Sequence, residues 1–541
     1  MTQILFNGRV HTLDSQRPRA SALAIDQGKI LAVGDDEEIR SQYDGAAETL
    51  DLGGRPVIPG LTDAHIHLQQ YAMGLQKVDC ETGSKAECLR RVSQRARQTS
   101  PGEWVLGHGW NQNNWAEGFG SAQELDAAAP ENPVYLTAKS LHAGWANQAA
   151  LRLAGIQANS DDPPGGKIGR DASGNPDGIL LEKAMELINS VLPAPSTATL
   201  ASAIQDAQLD LAKMGLTGLH DFDRRDCFMA LQSLHQNGDL KLRVNKGIPL
   251  DDLHHATAIG LRTGFGDDVL RIGQVKLFAD GALGPHTAAM VQPFEDDPDN
   301  LGLLMLDAEQ LLEYGREAVA GGLSLAVHAI GDRANHEVLD AFAQIRQEER
   351  KLRQGKAGLR ESPPSGELDL RHRIEHVQLI HPDDVNRLAE LGIVASMQPI
   401  HATSDMEMAN RFWGERSALA YAWRTQLDHG AVLAFGSDAP VESPNPFWGL
   451  HAAITRRRAD GSPGPDGWYA SQRLSLESAL QAYTYGAAYA AGMEDRLGKL
   501  AAGFLADLVV LDRDPFEVDA NALRETQTVA TMVGGAWLWM D

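Results

Sequence analysis

The stretch Asp63-Ala64-His65-Ile66-His67 sets two imidazoles two residues apart, just after an apolar run at residues 56–61. Side chains two apart on a strand point to the same face. His65 and His67 can therefore converge on one ion, imidazole being the commonest metal ligand. A lone pair of this kind is more often solvent-facing or packed in a core, so further donors are needed before it reads as a site. Later strand-like segments provide them. Residues 274–281 carry Lys276, residues 323–328 end in His328, residues 373–376 end in His376, and residues 431–438 end in Asp438. In chain order the set is a His-x-His pair, Lys, His, His and Asp, each borne on an apolar, β-branched or aromatic run.

Bringing these side chains together requires a fold that gathers strand ends. Eight strand candidates stand at about 57–67, 216–222, 241–247, 270–279, 323–328, 371–377, 393–398 and 432–437. Helix-forming stretches such as "SAIQDAQLDLAKMG" and "HEVLDAFAQIRQEERKLRQG" separate most of them. Strands alternating with helices predict a parallel sheet of βα units. Eight such units match a TIM barrel, whose active site lies at the C-terminal ends of its strands. Every candidate donor falls at such an end. The short alternating segments before residue 57 predict an antiparallel sheet, and the chain after about 497 repeats their texture. The interval 71–200 is too long for one βα connection and has strand signals of its own, "EWVLGHGW" and "PVYLTAKSLHAGW", so it reads as an insertion near the barrel mouth. Residues 350–368 read as an exposed loop.

Composition narrows the function. With 541 residues, 43% hydrophobic and 22% charged, the chain can bury a sizeable core and matches an α/β barrel with insertions. A formal net charge of -25 lacks the basic footprint that nucleic acid requires; a small-molecule substrate fits better. Cys80, Cys88 and Cys227 form neither a CxxC pair nor an even disulfide framework, as expected of reduced thiols in a cytoplasmic protein. Residues 4–10 read as a strand and turn rather than an export signal. No apolar run is long enough to cross a bilayer. A cytoplasmic enzyme without a membrane partner is expected, and a homo-oligomer is compatible with all of this.

The wording around the candidates is "PGLTDAHIH", "HAGWANQAAL", "VKLFADGALG", "HAIGDRA", "RIEHVQLI", "FGSDAPVESPNP" and "LGKLAAGFLADLVVLDRDP". It resembles the amidohydrolase superfamily, and within it the amidohydrolase-3 branch of metal-dependent hydrolases, which includes N-substituted formamide deformylases. The resemblance runs from about residue 56 to 515. It implies an α/β TIM (β/α)8 barrel over 57–496 with the 71–200 insertion after the first barrel strand. Both chain ends, 1–56 and 497–541, would join in one small β-sandwich domain. It assigns His65 and His67 to one metal, His328 and His376 to a second, and Asp438 to both as a shared carboxylate. Lys276 is the unusual member, because an ammonium has no lone pair for a cation. Burial lowers a lysine pKa, and neutral lysine reacts with carbon dioxide to give a carbamate that bridges two metals in many family members. An ion pair with Asp280 is the competing reading of Lys276.

The implied cofactor is one or two divalent ions. Zinc suits a mixed histidine and carboxylate site best, with manganese, iron or cobalt compatible in ligand type. The implied reaction is hydrolysis of a C–N bond in a small amide, formamide or related substrate. Bound water would have its pKa lowered from about 15.7 towards 7, with Asp438 accepting and returning the proton. His108, Trp110 and Asn111 in "LGHGWNQNNW" and His142 in "HAGWANQAAL" are candidate substrate contacts, each with a packing role as its alternative. His220 and Asp221 end the second strand candidate and would face the rim or support the ligands. His286 stands where relatives commonly carry arginine. Arg416, Trp413 and Trp448 are weaker candidates. Lactone or ester hydrolysis could use the same site, and a lyase or isomerase could use the same scaffold. A metal-binding regulatory protein without catalysis is the reading from another class, and the complete ligand set argues against it.

Overall fold

Eight strands form one parallel sheet: β1 (Leu61–Ile66), β2 (Leu216–Asp221), β3 (Arg243–Pro249), β4 (Leu270–Phe278), β5 (Leu325–Ala329), β6 (Arg373–His376), β7 (Val394–Met397) and β8 (Leu433–Phe435). The computed structural model describes residues 2–43, 45, 47–112, 115–139, 143–357 and 370–541. Each strand pairs in parallel with the next. The last closes on the first through two backbone bonds: Asp438 N–H donates to the His65 carbonyl at 2.7 Å, and His67 N–H to the Ala439 carbonyl at 2.9 Å. These runs hold as parallel strands because both faces are covered; every residue of β2, β6 and β7 is buried. Helices Arg225–Asn237 and Ala308–Gly321 return the chain and stop at Gly238 (φ 73°) and Gly322 (φ 78°), left-handed positions that glycine takes without strain.

The first strand candidate, 57–67, divides in two. Pro56–Pro59 pairs with Leu508–Leu511 and Arg9–His11 in a separate six-stranded sheet that also holds Arg19–Ala20, Thr528–Val533 and Ala536–Met540. Gly60 is the joint between the two sheets. A β-carbon there would collide with the Thr217 side chain, so the chain can change sheets only at glycine. The sheet thus contains strands from both chain ends. A further four-stranded sheet, ordered Lys29–Gly34, Ala22–Asp26, Thr2–Phe6, Ala47–Asp51, is mixed rather than wholly antiparallel, because Thr2–Phe6 and Ala47–Asp51 run parallel. The expected loop at 350–368 also needs correction. Helix Asp332–Ala357 takes up its first part, since "EERKLRQ" consists of strong helix formers; the remainder lies outside the described residues.

Residues 72–203 form a compact unit separate from the rest of the chain. Its sheet is ordered Gly166–Arg170, Pro176–Glu182, Ala143–Ala146, Val134–Ala138, Val105–Trp110, Val78–Asp79. Its core is aromatic: Trp110, Trp115 and Trp145 meet with ring centroids 6.1–6.3 Å apart. Among the described residues no helix is long and apolar enough to cross a membrane.

One buried ion pair fastens β3 to the terminal sheet. Arg243 grips Asp507 with Nε at 2.5 Å and a second nitrogen at 2.7 Å, and donates again to the Asp268 carbonyl. Removing one partner of such a pair strands a buried charge, at a cost of about 3–5 kcal/mol. Asp507→Ala should therefore lower the urea midpoint markedly. A midpoint matching the parent protein would show that the pair does not hold the two sheets together.

Candidate metal centre

The seam between β1 and β8 determines the site. Asp63 stands beneath it, its Oδ1 accepting from His65 N–H and Ser437 N–H at 3.0 Å each and its Oδ2 from the Ser437 hydroxyl at 2.5 Å. Burial pushes its carboxyl up to about 7. Gly436 packs so closely that a β-carbon would strike the His65 backbone and Asp63. With the strands this near, Asp438 turns into the left-handed region (φ 60°) and aims its carboxylate at β1. Its Oδ1 lies 3.5 Å from His65 Nε2 and 3.4 Å from His67 Nε2. His65, His376 and Asp438 bring one donor atom each within 4.8 Å of one another. His376 (φ 77°) and Val377 (φ 45°) are also left-handed, and such strain concentrates at functional sites.

Each histidine of the set is oriented by a bond on its other nitrogen. His65 Nδ1 lies 2.6 Å from Glu375, His67 Nδ1 3.3 Å from Asp223, and His376 Nδ1 2.8 Å from the Gln398 side-chain oxygen. His328 is turned the other way, with Nε2 2.9 Å from the Gly281 carbonyl. In each case an oxygen acceptor takes one N–H, and where the ring is neutral this leaves the second nitrogen with its lone pair. Burial also keeps three of these imidazoles neutral: it lowers His65 to about 4 and His328 to about 3, and holds His376 well below its usual value. His67 differs. Burial opposes its charge, but the bonds to Asp223 and Asp438 outweigh that and lift it to about 9, so positive charge is favoured where His67 meets Asp438.

Glu375 is itself held from below. Arg373 donates to it from two nitrogens at 2.5 and 3.0 Å, to the Ser396 hydroxyl at 2.5 Å, to the Ala64 carbonyl at 2.6 Å and to His220 Nδ1 at 2.7 Å. Burial alone would raise Glu375, and Arg373 with His65 holds it well below the usual carboxylate range. His220 is buried in this layer and supports the site from within; it does not reach the rim. Asp221 is likewise fully buried. It accepts from Leu68 N–H, next to His67, at 3.0 Å and pairs with Lys246 at 3.0 Å, so of its two expected places it takes the supporting one. Asp221, Asp223 and Cys227 form a second metal-competent cluster, but the Lys246 ammonium already fills the cationic role there.

Lys276 is buried, and its Nζ has no hydrogen-bond partner among the described residues. It lies 4.8 Å from the centre of the Phe278 ring and 5.1 Å from that of Phe222. Burial outweighs the attraction of Glu375 and Asp438 and lowers it to about 8. The alternative partner, Asp280, is engaged elsewhere, accepting from Ala289, Ile330 and Gly331 N–H groups. An orphaned amine beside histidine donors fits a group that converts it to a ligand.

The other sequence candidates have partners of their own. Trp110 is fully buried in the tryptophan core of the 72–203 unit and donates to the Leu136 carbonyl, the packing role that was its alternative; bulk and indole bonding fit it for the core. His108 bonds Thr137 at 2.8 Å in the same sheet, and Asn111 follows that strand. His142 lies outside the described residues. Asn147 caps the helix Gln148–Leu153. His286 stacks on Phe294 at 4.7 Å and meets Phe412 edge-on at 4.1 Å. Arg416 is bound to the carbonyls of Trp413, Gln292 and Pro293, Trp413 is fully buried, and Trp448 is covered by Arg524. These three therefore serve packing.

Several members of the site escaped sequence reasoning. His401, on the helix Pro399–Trp413, points Nε2 to Asp438 Oδ2 at 3.4 Å. Gln398, Glu375 and Asp223 orient the histidines. The signal for Gln398 and His401 was their place just after β7, at the barrel end where the donors gather. Asp223 stands two residues beyond Asp221, and Glu375 beside His376.

With this geometry in hand, residues 48–538 match the amidohydrolase family, and the chain belongs to it. LONG AFTER FAR-RED 3 of Arabidopsis thaliana is 32% identical over 99% of this chain and 91% of its own length. N-substituted formamide deformylase of Arthrobacter pascens is 31% identical over 99% and 98%. Among solved structures, an uncharacterized metal-dependent hydrolase from Pyrococcus furiosus superposes with a TM-score of 0.77 at 29% identity, covering 96% of this chain and 100% of that one. Eight parallel strands with a family match across the chain make this a TIM-barrel hydrolase of the metal-dependent kind.

The orienting bonds lead to a test. Gln398→Met would leave the buried His376 Nδ1–H without its acceptor. Loss of an outer partner of this sort typically costs 10–100-fold in metal affinity. Competition against a chelator should read that loss with zinc, and unchanged affinity would remove His376 from the ligand set.

Proposed function

We propose that the chain hydrolyses a C–N bond of a small amide or formamide at this centre, with His65, His67, His328, His376 and Asp438 holding one or two divalent ions, zinc foremost, and Lys276 joining them as its carbamate. The observation that carries the reading is the set of four histidines, each with one ring nitrogen held by a protein oxygen and three of them neutral, with the other nitrogen free to ligate. The deformylase, similar over nearly the whole of both chains, supports the choice of a C–N bond. When bound, the metal supplies Lewis-acid activation of water and of the scissile carbonyl.

The protein groups then divide the remaining work. Asp438 Oδ1 faces His65 and His67, while Oδ2 faces His401 Nε2. Burial would raise its carboxyl, but the electrostatic environment at His65 and the hydrogen bonds from His401 and His67 outweigh that and hold it well below the usual range. It is therefore ionised at neutral pH, able to accept the proton of attacking water and return it to the departing nitrogen. That return matters most for an amide, whose nitrogen leaves only as a protonated amine. His401 Nε2 steadies the carboxylate through its second oxygen. The buried Arg373–Glu375 layer holds His65 in place.

Lys276 acts only once neutral. Its amine adds to carbon dioxide, forming one N–C bond and releasing one proton, to give a carbamate whose oxygens can ligate where an ammonium cannot. Labelled bicarbonate should give a carbamate carbon resonance in the zinc-loaded enzyme that Lys276→Ala lacks. The same resonance in both proteins would remove Lys276 from this role.

Asp438→Asn tests the proton transfer. Asparagine is nearly isosteric but cannot accept and return the proton, so turnover should fall on the order of 10² to 10⁴. Turnover of formamides, N-acyl amino acids, cyclic imides and lactones should be measured with metal content on the same preparation. A fully metallated variant with parental turnover would overturn the role of Asp438. Turnover of lactones alone would replace the C–N reading with ester hydrolysis.

A further inference from the structure

Two buried lysines stand on the paired strands β3 and β4 in opposite states. Lys276 on β4 has no partner for its Nζ among the described residues, whereas Lys246 on β3 has three: Asp221 Oδ2 at 3.0 Å, the Gly247 carbonyl at 3.0 Å and the Asp223 carbonyl. An ammonium carries three N–H donors, so every one of them finds an oxygen. These acceptors lead to His67. The helix Leu68–Leu75 begins at the residue after His67, and the first N–H groups of a helix have no partner within it. Here Asp221 Oδ1 accepts from Leu68 N–H at 3.0 Å and Asp223 Oδ2 from Gln69 N–H at 2.5 Å, while Asp223 Oδ1 lies 3.3 Å from His67 Nδ1. Residues 67 to 69 are thus held by two carboxylates from the end of β2, and Lys246 binds both of those residues to β3.

Asp223 depends on that hold. It lies two residues past the end of β2, beyond the last paired residue of the ladder, and the Lys246 bond takes the place of the ladder bond that its carbonyl lacks. Apolar residues of similar volume often replace a buried ion pair without loss of stability; they cannot supply three donors to three fixed oxygens. We infer that Lys246 is a positioning residue for His67: its ammonium binds Asp221 and the backbone of Asp223, and through them fixes the His67 ring and the turn that follows it. The consequence rests on the metal-centre reading above: a residue of β3 outside the ligand set governs how tightly, and in what geometry, the metal is held. His65, His328 and His376 take their acceptors from Glu375, Gly281 and Gln398, and among the described residues none of these is bonded to Lys246. The effect therefore enters through His67.

The test uses the full-length protein with Lys246→Met and with the pair Asp221→Asn/Lys246→Met. Methionine fills a similar volume without donors. The double variant also removes the carboxylate that the single one leaves buried and unpaired, so its fold need not bury a lone charge. Both variants should bind zinc roughly 10–100-fold more weakly in competition with a chelator, the loss typical of a partner that orients a metal ligand. Their cobalt-loaded forms should show a visible spectrum shifted from that of the parent, because cobalt absorption follows coordination geometry. An ion pair that serves stability alone would lower the unfolding midpoint and leave both readouts at parental values; that result in either variant overturns the proposal. Neither readout needs a substrate, so a protein that hydrolyses no amide is judged by the same results. If the parent takes up neither zinc nor cobalt, the metal-centre reading fails on its own, and amide exchange in the metal-free protein decides the placement. Leu68 and Gln69 N–H should then exchange roughly tenfold faster in both variants as the turn opens locally, and parental rates at both would overturn the role of Lys246.

Discussion

The closure of the barrel between β1 and β8 is the constraint on which the rest of the site depends. Two backbone bonds, from Asp438 to His65 and from His67 to Ala439, join residues far apart in sequence, and the residues so joined are the donors themselves. Asp63 clasps both sides of the seam from below, and Gly436 permits the approach because it has no side chain. The left-handed turn at Asp438 then becomes useful. Without it the carboxylate would follow the strand instead of crossing to His65 and His67. Closure and ligand placement are one event.

Beneath the seam lies a layer in which every polar group has a fixed partner. Arg373 would be costly to bury alone, but here it bonds Glu375, Ser396, His220 and the Ala64 carbonyl together. Glu375 passes that order on to His65. The result is a histidine whose tautomer and direction are set before any ion arrives, which is what a preorganised ligand requires. Lys276 is the exception. It sits between two aromatic rings with no hydrogen-bond partner among the described residues, a state a buried amine tolerates only if it loses its proton or reacts.

The same physical reasoning separates residues that resemble site residues from those that form it. Trp110 belongs to a glycine- and tryptophan-rich stretch that could line a pocket or pack in a core, and its ring is packed against Trp115 and Trp145. His286 sits in an aromatic stack with Phe294 and Phe412. In each case neighbouring rings claim the side chain. His401 shows the reverse: an unremarked residue at the start of a helix, made important by the carboxylate opposite.

Much of this protein was legible in its chain. The donor order and the alternation of apolar strands with helices are local patterns, so the eight strands, their parallel arrangement and the strand-end position of His65, His67, Lys276, His328, His376 and Asp438 could be read directly. Boundaries were less legible. Nothing in "PVIPGLTDAHIH" says that Pro56–Pro59 joins another sheet, because the break is forced by Thr217 lying against Gly60. The orienting partners were legible only as polar residues near strand ends, not as partners. Glu375, Gln398, Asp223 and His401 reach their histidines and carboxylate across gaps that only strand register and barrel closure span. Chain pattern determines which groups can bind; which nitrogen stays free, and which amine is left without a partner, is decided by contacts between residues that sequence places far apart.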